Sequence, residues 1–221
     1  MTILAVDPSS RNLGWAILDE TAVIDAGLIN SEQDDKGFRF LDMMELFLPA
    51  FERAIENDVR LVIIEEYVTK SRFGTDAVKG IIGVIQYIIA QKGFRATFIH
   101  PATVKKSVTG NGRAEKEEVA LEVYKQYPFS SRIYTDNNIT DAIAIGMAGF
   151  KKIAKEQKLI DIIMELAESK DGKLSNTIIY RSKVVKTMKE AGYILAILRS
   201  RYKTDKVKNR TIFQLPWQEI E

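Results

Sequence analysis

A chain of 221 residues can bury one sizeable core or one domain with a small appendage, and no stretch approaches the roughly 20 apolar residues of a membrane span. Cysteine is absent, which excludes disulfides, thiolate metal sites and a cysteine nucleophile and fits a reducing, cytoplasmic setting; the N-terminus lacks the pattern of a secretory signal. The net charge of +2 conceals an asymmetry, because residues 151–221 carry 16 Lys+Arg against 9 Asp+Glu while the preceding part is net acidic.

Ile3–Val6 reads as a short buried strand, and Leu13–Leu18 and Thr21–Asn30 as two more. Gly14 and the tight spacing suggest an antiparallel meander. Phe38–Asp58 has helical periodicity through Phe40, Leu41, Met44, Phe47, Leu48, Phe51 and Ile55, with Pro49 expected to kink or split it. Val59–Glu66 is β-branched and continuous, so it reads as a central strand buried on both faces. Thr75–Gly93 is a strong helix whose Gly80 and Gly83 leave a smooth patch for a close neighbour. Ala96–His100 is a further strand, Arg113–Tyr127 an amphipathic helix ended by Pro128, and a long helix begins at Asn137. Three early strands followed by alternating helix and strand indicate an α/β fold with a mixed sheet.

The last part differs. A helix is expected to end near Asp171–Gly172, and Arg181–Tyr193 reads as a second, basic helix ended by Gly192. The stretches "ILAILRSRYKT" and "NRTIFQLPW" read as two strands around the basic turn "DKVKN". That order of elements is winged-helix-like and places a boundary near residue 155, giving a first domain over 1–155 and a basic α+β extension over 156–221. Lys183, Lys186, Lys189, Arg199, Arg201, Lys203 and Lys208 are then candidates to face phosphates. The excess of positive charge suggests an anionic partner, nucleic acid ahead of an anionic membrane, with a solvated helical surface as the plain alternative.

Three acids stand where a sheet presents residues to one edge. Asp7 follows the first strand, Glu65 ends "LVIIE", and Asp141 lies near the start of the "ITDAIAIGMAG" helix with Asn138 three residues earlier, on the same helical face. Oxygen ligands from separate elements suit a hard cation such as Mg²⁺ or Mn²⁺. Carboxylates that close repel one another unless a cation neutralises them, so such a cluster is expected to lack a Lys or Arg partner. Each residue also has a plainer role. Asp7 before Pro8 forms turns, Glu65 or Glu66 marks a strand end, Asn138 caps a helix, and Asp141 complements the helix dipole. Their joint order is what favours a site.

"AVDPSSRNLGWAI", "LVIIEEYV", "HPATVKKSVTGNGRAEKEEV" and "NNITDAIAIG" together resemble the RuvC-type Holliday junction resolvases, within the RNase H-like nucleases, over roughly the first two-thirds of the chain. The third stretch is the most specific. It resembles the family's Lys-x-x-Val-x-Gly-x-Gly-x-Ala-x-Lys segment. Two departures stand out: Ser9 where Gly is usual, and Asn138 where the family usually has the first of two acids three residues apart. An amide oxygen can bind a hard cation but brings no negative charge.

The resemblance implies an RNase H-like mixed sheet flanked by helices and a Mg²⁺-dependent endodeoxyribonuclease that cuts branched DNA, four-way junctions above all, in recombination and repair. Mn²⁺ would substitute for Mg²⁺. It implies metal ligation by Asp7, Glu65, Asn138 and Asp141, with Asp7 bridging two ions and Glu66 turned to the opposite face. Asp136 is a substitute ligand only by loop rearrangement. Lys105 and Lys116 match positions that contact DNA or stabilise charge at the scissile phosphate, Lys116 as part of the catalytic set. Lys106 and Arg113 are further DNA-contact candidates. Tyr67 and Phe73 lie where the family places an aromatic wedge. The family acts as a homodimer, and the Thr75–Gly93 helix occupies the place of its interface. Asn138 and the tail mark a divergent member, with a viral source and a host cytoplasm as one reading. His100, the single histidine, reads as a hydrogen-bonded structural residue.

Two other classes compete. One is a non-catalytic branched-DNA-binding protein on a degenerate nuclease core, supported by Asn138. The other is an ATP-binding member of the sugar kinase and heat-shock ATPase group, which shares the opening strand, acid and turn but needs a duplicated domain for which this chain has no room.

Overall fold

The computed structural model describes residues 1–68, 75–128, 136–168, 173–175, 179, 191–195, 198, 204–207 and 210–214. The early apolar runs form β1 (Thr2–Asp7), β2 (Asn12–Leu18) and β3 (Val23–Asn30), an antiparallel meander whose register pairs Asp7 with Gly14 and Trp15 with Gly27. After α1 (Lys36–Glu56), the β-branched run forms β4 (Val59–Glu65), which lies parallel to β1. Then follow α2 (Thr75–Gln91), β5 (Ala96–Ile99), α3 (Pro101–Thr109), α4 (Lys116–Gln126) and α5 (Asn137–Glu168). The strand order is β3-β2-β1-β4-β5, so the continuous apolar strands β1 and β4 occupy the middle of a mixed sheet.

Period-two alternation divides the sheet residues between two layers. Leu4, Val6, Leu13, Trp15, Ile17, Val62 and Ile64 join α1 and α2 in one core. Ile3, Ala5 and Ile63 belong to the opposite face, where α5 comes close enough that a Cβ on Gly149 would strike the Ile63 side chain. Asp7 and Glu65 share the parity of Ala5 and Ile63. The sheet therefore directs both carboxylates toward α5.

Several expectations need correcting. Pro49 does not split α1, which continues as one helix from Lys36 to Glu56. Its buried face is Met43, Phe47, Ala50, Phe51 and Ala54, and that burial outweighs the single lost backbone hydrogen bond. Leu41, Leu48 and Ile55 are exposed, so the buried stripe is rotated from the one read off the sequence. Helix α3 is an element that the sequence pattern does not announce; the His100 side chain accepts the Ala102 N–H at 3.1 Å, Pro101 occupies the first turn, and Gly110 ends the helix in the left-handed region.

The chain divides into two compact units, Met1–Lys151 and Lys152–Glu221. In the second, a three-stranded antiparallel sheet has the order β6-β8-β7, from β6 (Lys173–Ser175), β7 (Thr204–Val207) and β8 (Arg210–Gln214). Residues 191–195, read from the sequence as the end of a helix and the start of a strand, are helical. Among the described residues, the first strand of the hairpin is Thr204–Val207. A short apolar run such as "ILAIL" fits a buried helix as well as a strand, and Ile194 and Leu195 are buried. Among the described residues, no helix is long and apolar enough to cross a membrane.

Candidate active site

The parallel pairing of β1 with β4 aligns Val6 with Ile64, so the next residues, Asp7 and Glu65, stand side by side where the two strands end. Helix α5 closes the site from above the sheet. Its first turn approaches so tightly that a Cβ on Gly14, the register partner of Asp7, would lie 2.1 Å from the Asn138 carbonyl oxygen. Only a residue without a side chain permits that approach. It brings Asp141, one turn along α5, into electrostatic contact with both strand-end acids.

The electrostatics follow from crowding. Burial, then the negative charges of Asp141 and Asp136, push the Asp7 carboxyl up to about 7, with Lys116 pulling the other way. Glu65 rises to about 8, through burial first and then through Asp7 and Asp141, opposed by Lys116 and Lys105. Lys116 lies at the first position of α4, and its Nζ donates to Asp141 Oδ2 at 2.7 Å. That hydrogen bond raises the Lys116 pKa, with support from the charges of Asp141, Asp7 and Glu65 and against the cost of partial burial. The expectation of a cluster without a basic partner therefore needs revision, because the combined field of the acids holds an ammonium at Asp141.

The remaining sequence candidates are dispersed. Lys105 donates to the Ala114 carbonyl at 2.6 Å, tying α3 to the loop before α4, while its charge reaches Glu65. Lys106 and Arg113 are exposed on the same segment. Glu66 is exposed and gives its backbone N–H to Ile99 at 2.8 Å, continuing the ladder to β5. Tyr67 is partly buried against the core formed with α1 and α2. Phe73, Lys183, Lys186, Arg201 and Lys203 lie outside the described residues.

Helix α5 begins at Asn137, so Asn138 is inside the helix, and Asp136 takes the capping role. Its Oδ1 accepts the Asn138 backbone N–H at 2.7 Å and the Asn138 side-chain amide at 2.8 Å. The sequence carried a usable signal: Asp before an Asn-rich start is as good an N-cap as Asn.

Among the described residues, no three acidic side chains converge closely enough to cage an ion as they stand. The donor set nevertheless suits a hard divalent cation. It is made only of oxygens, two of its carboxylates are raised by burial and mutual repulsion, and an added positive charge would relieve both.

Acids at two neighbouring strand ends and at the start of a helix lying over a mixed five-stranded sheet define an RNase H-like nuclease core. The family model described as crossover junction endodeoxyribonuclease RuvC matches residues 3–149, and the chain belongs to that family. Among its relatives, the crossover junction endodeoxyribonuclease RuvC of Ruegeria pomeroyi is 33% identical over 132 residues, covering 58% of this chain and 79% of the relative. That of Campylobacter curvus is 32% identical over 152 residues, covering 66% and 94%. A solved structure of T. thermophilus RuvC in complex with Holliday junction substrate superposes with a TM-score of 0.60 at 21% identity, covering 67% of this chain and 92% of that one, a likeness of fold. Membership of this family does not favour an ATP-binding or non-catalytic reading.

Proposed function

We propose that this chain resolves four-way DNA junctions by divalent-cation-dependent hydrolysis of phosphodiester bonds, with Mg²⁺ as the physiological ion and Mn²⁺ able to replace it. The observation that carries the reading is the pair of crowded carboxylates, Asp7 and Glu65, raised to about 7 and about 8 at adjoining strand ends. Asp7, Glu65 and Asp141 would hold the cations, with Asn138 offering an amide oxygen. Bound divalent ions supply Lewis-acid chemistry, lowering the pKa of a water and stabilising charge on the leaving oxygen.

The chain's own residues do the rest. Lys116, kept protonated by its acidic neighbours, can exchange Asp141 for a phosphate oxygen of the substrate. Lys105 keeps a second positive charge beside Glu65, and exposed Lys106 and Arg113 extend a basic track along α3 and the loop to α4. Such contacts fix the backbone in place without reading sequence. The basic second unit, through Lys183, Lys186, Arg201 and Lys203, is assigned an auxiliary hold on the DNA arms.

Symmetric cutting calls for two copies, and we assign the interface to α2. Most of its apolar residues, among them Ile81, Ile85, Ile88 and Ile89, are buried within the protomer. The outward face retains Gly83, where an added Cβ would meet no other described element within 4 Å, and Tyr87, which is 61% exposed. Incubating the protein with a synthetic four-way junction across a Mg²⁺ and Mn²⁺ series tests the reading. Paired symmetric nicks that vanish in Asp7→Asn are expected. Equal cutting of linear duplex, or no cutting of any branched DNA, would overturn it.

A further inference from the structure

Helix α1 is apolar on two sides, and the fold uses only one of them. Opposite its buried face run Phe38, Leu41, Glu45, Leu48, Glu52 and Ile55, all exposed, with Phe38 at 61% and Leu41 at 49%. A surface helix ordinarily turns charged and polar residues to water on that side. We propose that this stripe docks an amphipathic helix of a partner protein, one that carries apolar residues at heptad spacing with Lys or Arg between them.

Two observations choose the occupant. The first is spacing. The six positions alternate steps of three and four residues, which is the a and d pattern of a two-helix seam. From Phe38 to Ile55 the seam is about 26 Å long, roughly five turns. A second helix can lay its own apolar residues along it, whereas an extended strand, with a repeat of two, would match it at few points. The second is charge. Apolar positions alternate with Glu45 and Glu52, none of the six is basic, and exposed Glu56 adds a further acid at the C-terminal end. Two cations of the helix are engaged elsewhere. Arg53 lies over the Trp15 ring at 5.1 Å and pairs with Asp25 at 3.4 Å, and buried Arg39 donates to the Gln33 and Asp34 carbonyls. A second copy is therefore a poor match: α1 against α1 would enclose four carboxylates with no cation in the seam, and a buried charge without a partner is costly. A basic helix supplies both the apolar knobs and the missing cations. Helix α1 packs on the sheet face opposite to the one that carries Asp7 and Glu65, so an occupied stripe leaves those acids open.

The test uses the full-length protein and two labelled synthetic helices of about three heptads, with the same Leu seam and with either Lys or Glu beside it. Binding is followed by fluorescence anisotropy at low salt. The lysine helix is expected to bind, and the glutamate helix about tenfold more weakly or worse. Leu48→Ser is expected to weaken the lysine helix by about tenfold or more. A Glu45→Lys, Glu52→Lys protein is expected to reverse the preference and favour the glutamate helix. All three positions are exposed and lie away from the acids of the site, so the melting temperature and junction cleavage of these variants should match the parent protein. Equal binding of the two helices, no binding of the lysine helix, or binding indifferent to these substitutions would overturn the proposal. So would self-association, measured by sedimentation, that is lost in Leu48→Ser, because the stripe would then belong to a second copy.

Discussion

The acids of this site arrive by two routes, and the routes give them different surroundings. Asp7 and Glu65 are carried by strands whose register is set by a buried core, and they reach the site bare, with no hydrogen-bond donor among the described residues. Asp141 arrives on the first turn of a helix and brings a compensating partner, the Lys116 ammonium, while Asp136, which caps that helix, holds the Asn138 amide. The sheet provides rigid, uncompensated charge, whereas the helix provides charge that can trade partners. A site that must bind a cation tightly and still respond to a phosphate needs both kinds.

The largest effect should come from removing a strand-borne charge. Asp7→Asn keeps the shape and removes the ligand shared by the proposed ions. Junction cleavage should fall by about 10³-fold or more, since several kcal/mol of charge stabilisation disappear. Metal-free stability should be kept or improved, because an isosteric neutral group ends the repulsion with Glu65 and Asp141. Normal cleavage by this variant would erase the distinction between the two routes.

On the helix side, the equivalent probe is Lys116→Ala. The cut rate should fall by about 10²-fold, the size of effect seen when one donor to a developing charge is removed. Mn²⁺ affinity should stay level or rise, because Asp141 loses its competing ammonium. Opposite movement of cleavage and affinity is the signature of a partner that trades places. A parallel fall in both would make Lys116 a mere structural support. Between the routes stands Gly14, which lets the helix meet the strand. Gly14→Ala places a Cβ 2.1 Å from the Asn138 backbone oxygen, where no flexible side chain can yield. Destabilisation of about 2–3 kcal/mol is expected in chemical denaturation, with cleavage lowered as the first turn of α5 is pushed off Asp7.

The two routes also differ in how legible they are in sequence. Strand-borne acids can be read from alternation alone. "LAVD" and "VIIE" end on the parity of the residues facing α5, and the opposite parity of Glu66 follows from the same rule. Helix-borne groups depend on where a helix starts, and boundaries are the weakest part of any pattern. Asn138 reads as a cap and Asp136 as an outlier off the face, while the structure caps the helix with Asp136 and buries the cost in an amide contact. Partner choice is less legible still. Nothing in the spacing of Lys116 and Asp141, 25 residues apart, announces a 2.7 Å ion pair. Helix α3 escaped because "PATVKKSVT" buries only Val104 and Val108, too few apolar residues to show a period. The wrong face of α1 has the opposite cause: apolar residues nearly surround it, and the choice between Leu48 and Ala50 is made by the neighbouring α2 and β3.

The smallest effect tests the strand-borne pair without any mutation. The Asp7 carboxyl moves from an ordinary 3.8 to about 7, and the Glu65 carboxyl from 4.5 to about 8. Between those limits the folded protein holds protons that the unfolded chain has released, so the stability of the metal-free protein declines as pH rises through the window. The contribution is fully present below the ordinary carboxylate values and is lost by about pH 8. With a chelator present, the melting temperature should drop by on the order of 5 °C between pH 5.5 and 8.5, after subtraction of the same curve for a Glu65→Gln, Asp7→Asn protein. A divalent cation should reverse the slope, because it binds the ionised forms and stabilises most where they prevail. A metal-free profile that is flat, or that rises with pH, would mean that the strand-end acids are compensated after all, and the contrast between the two routes would disappear.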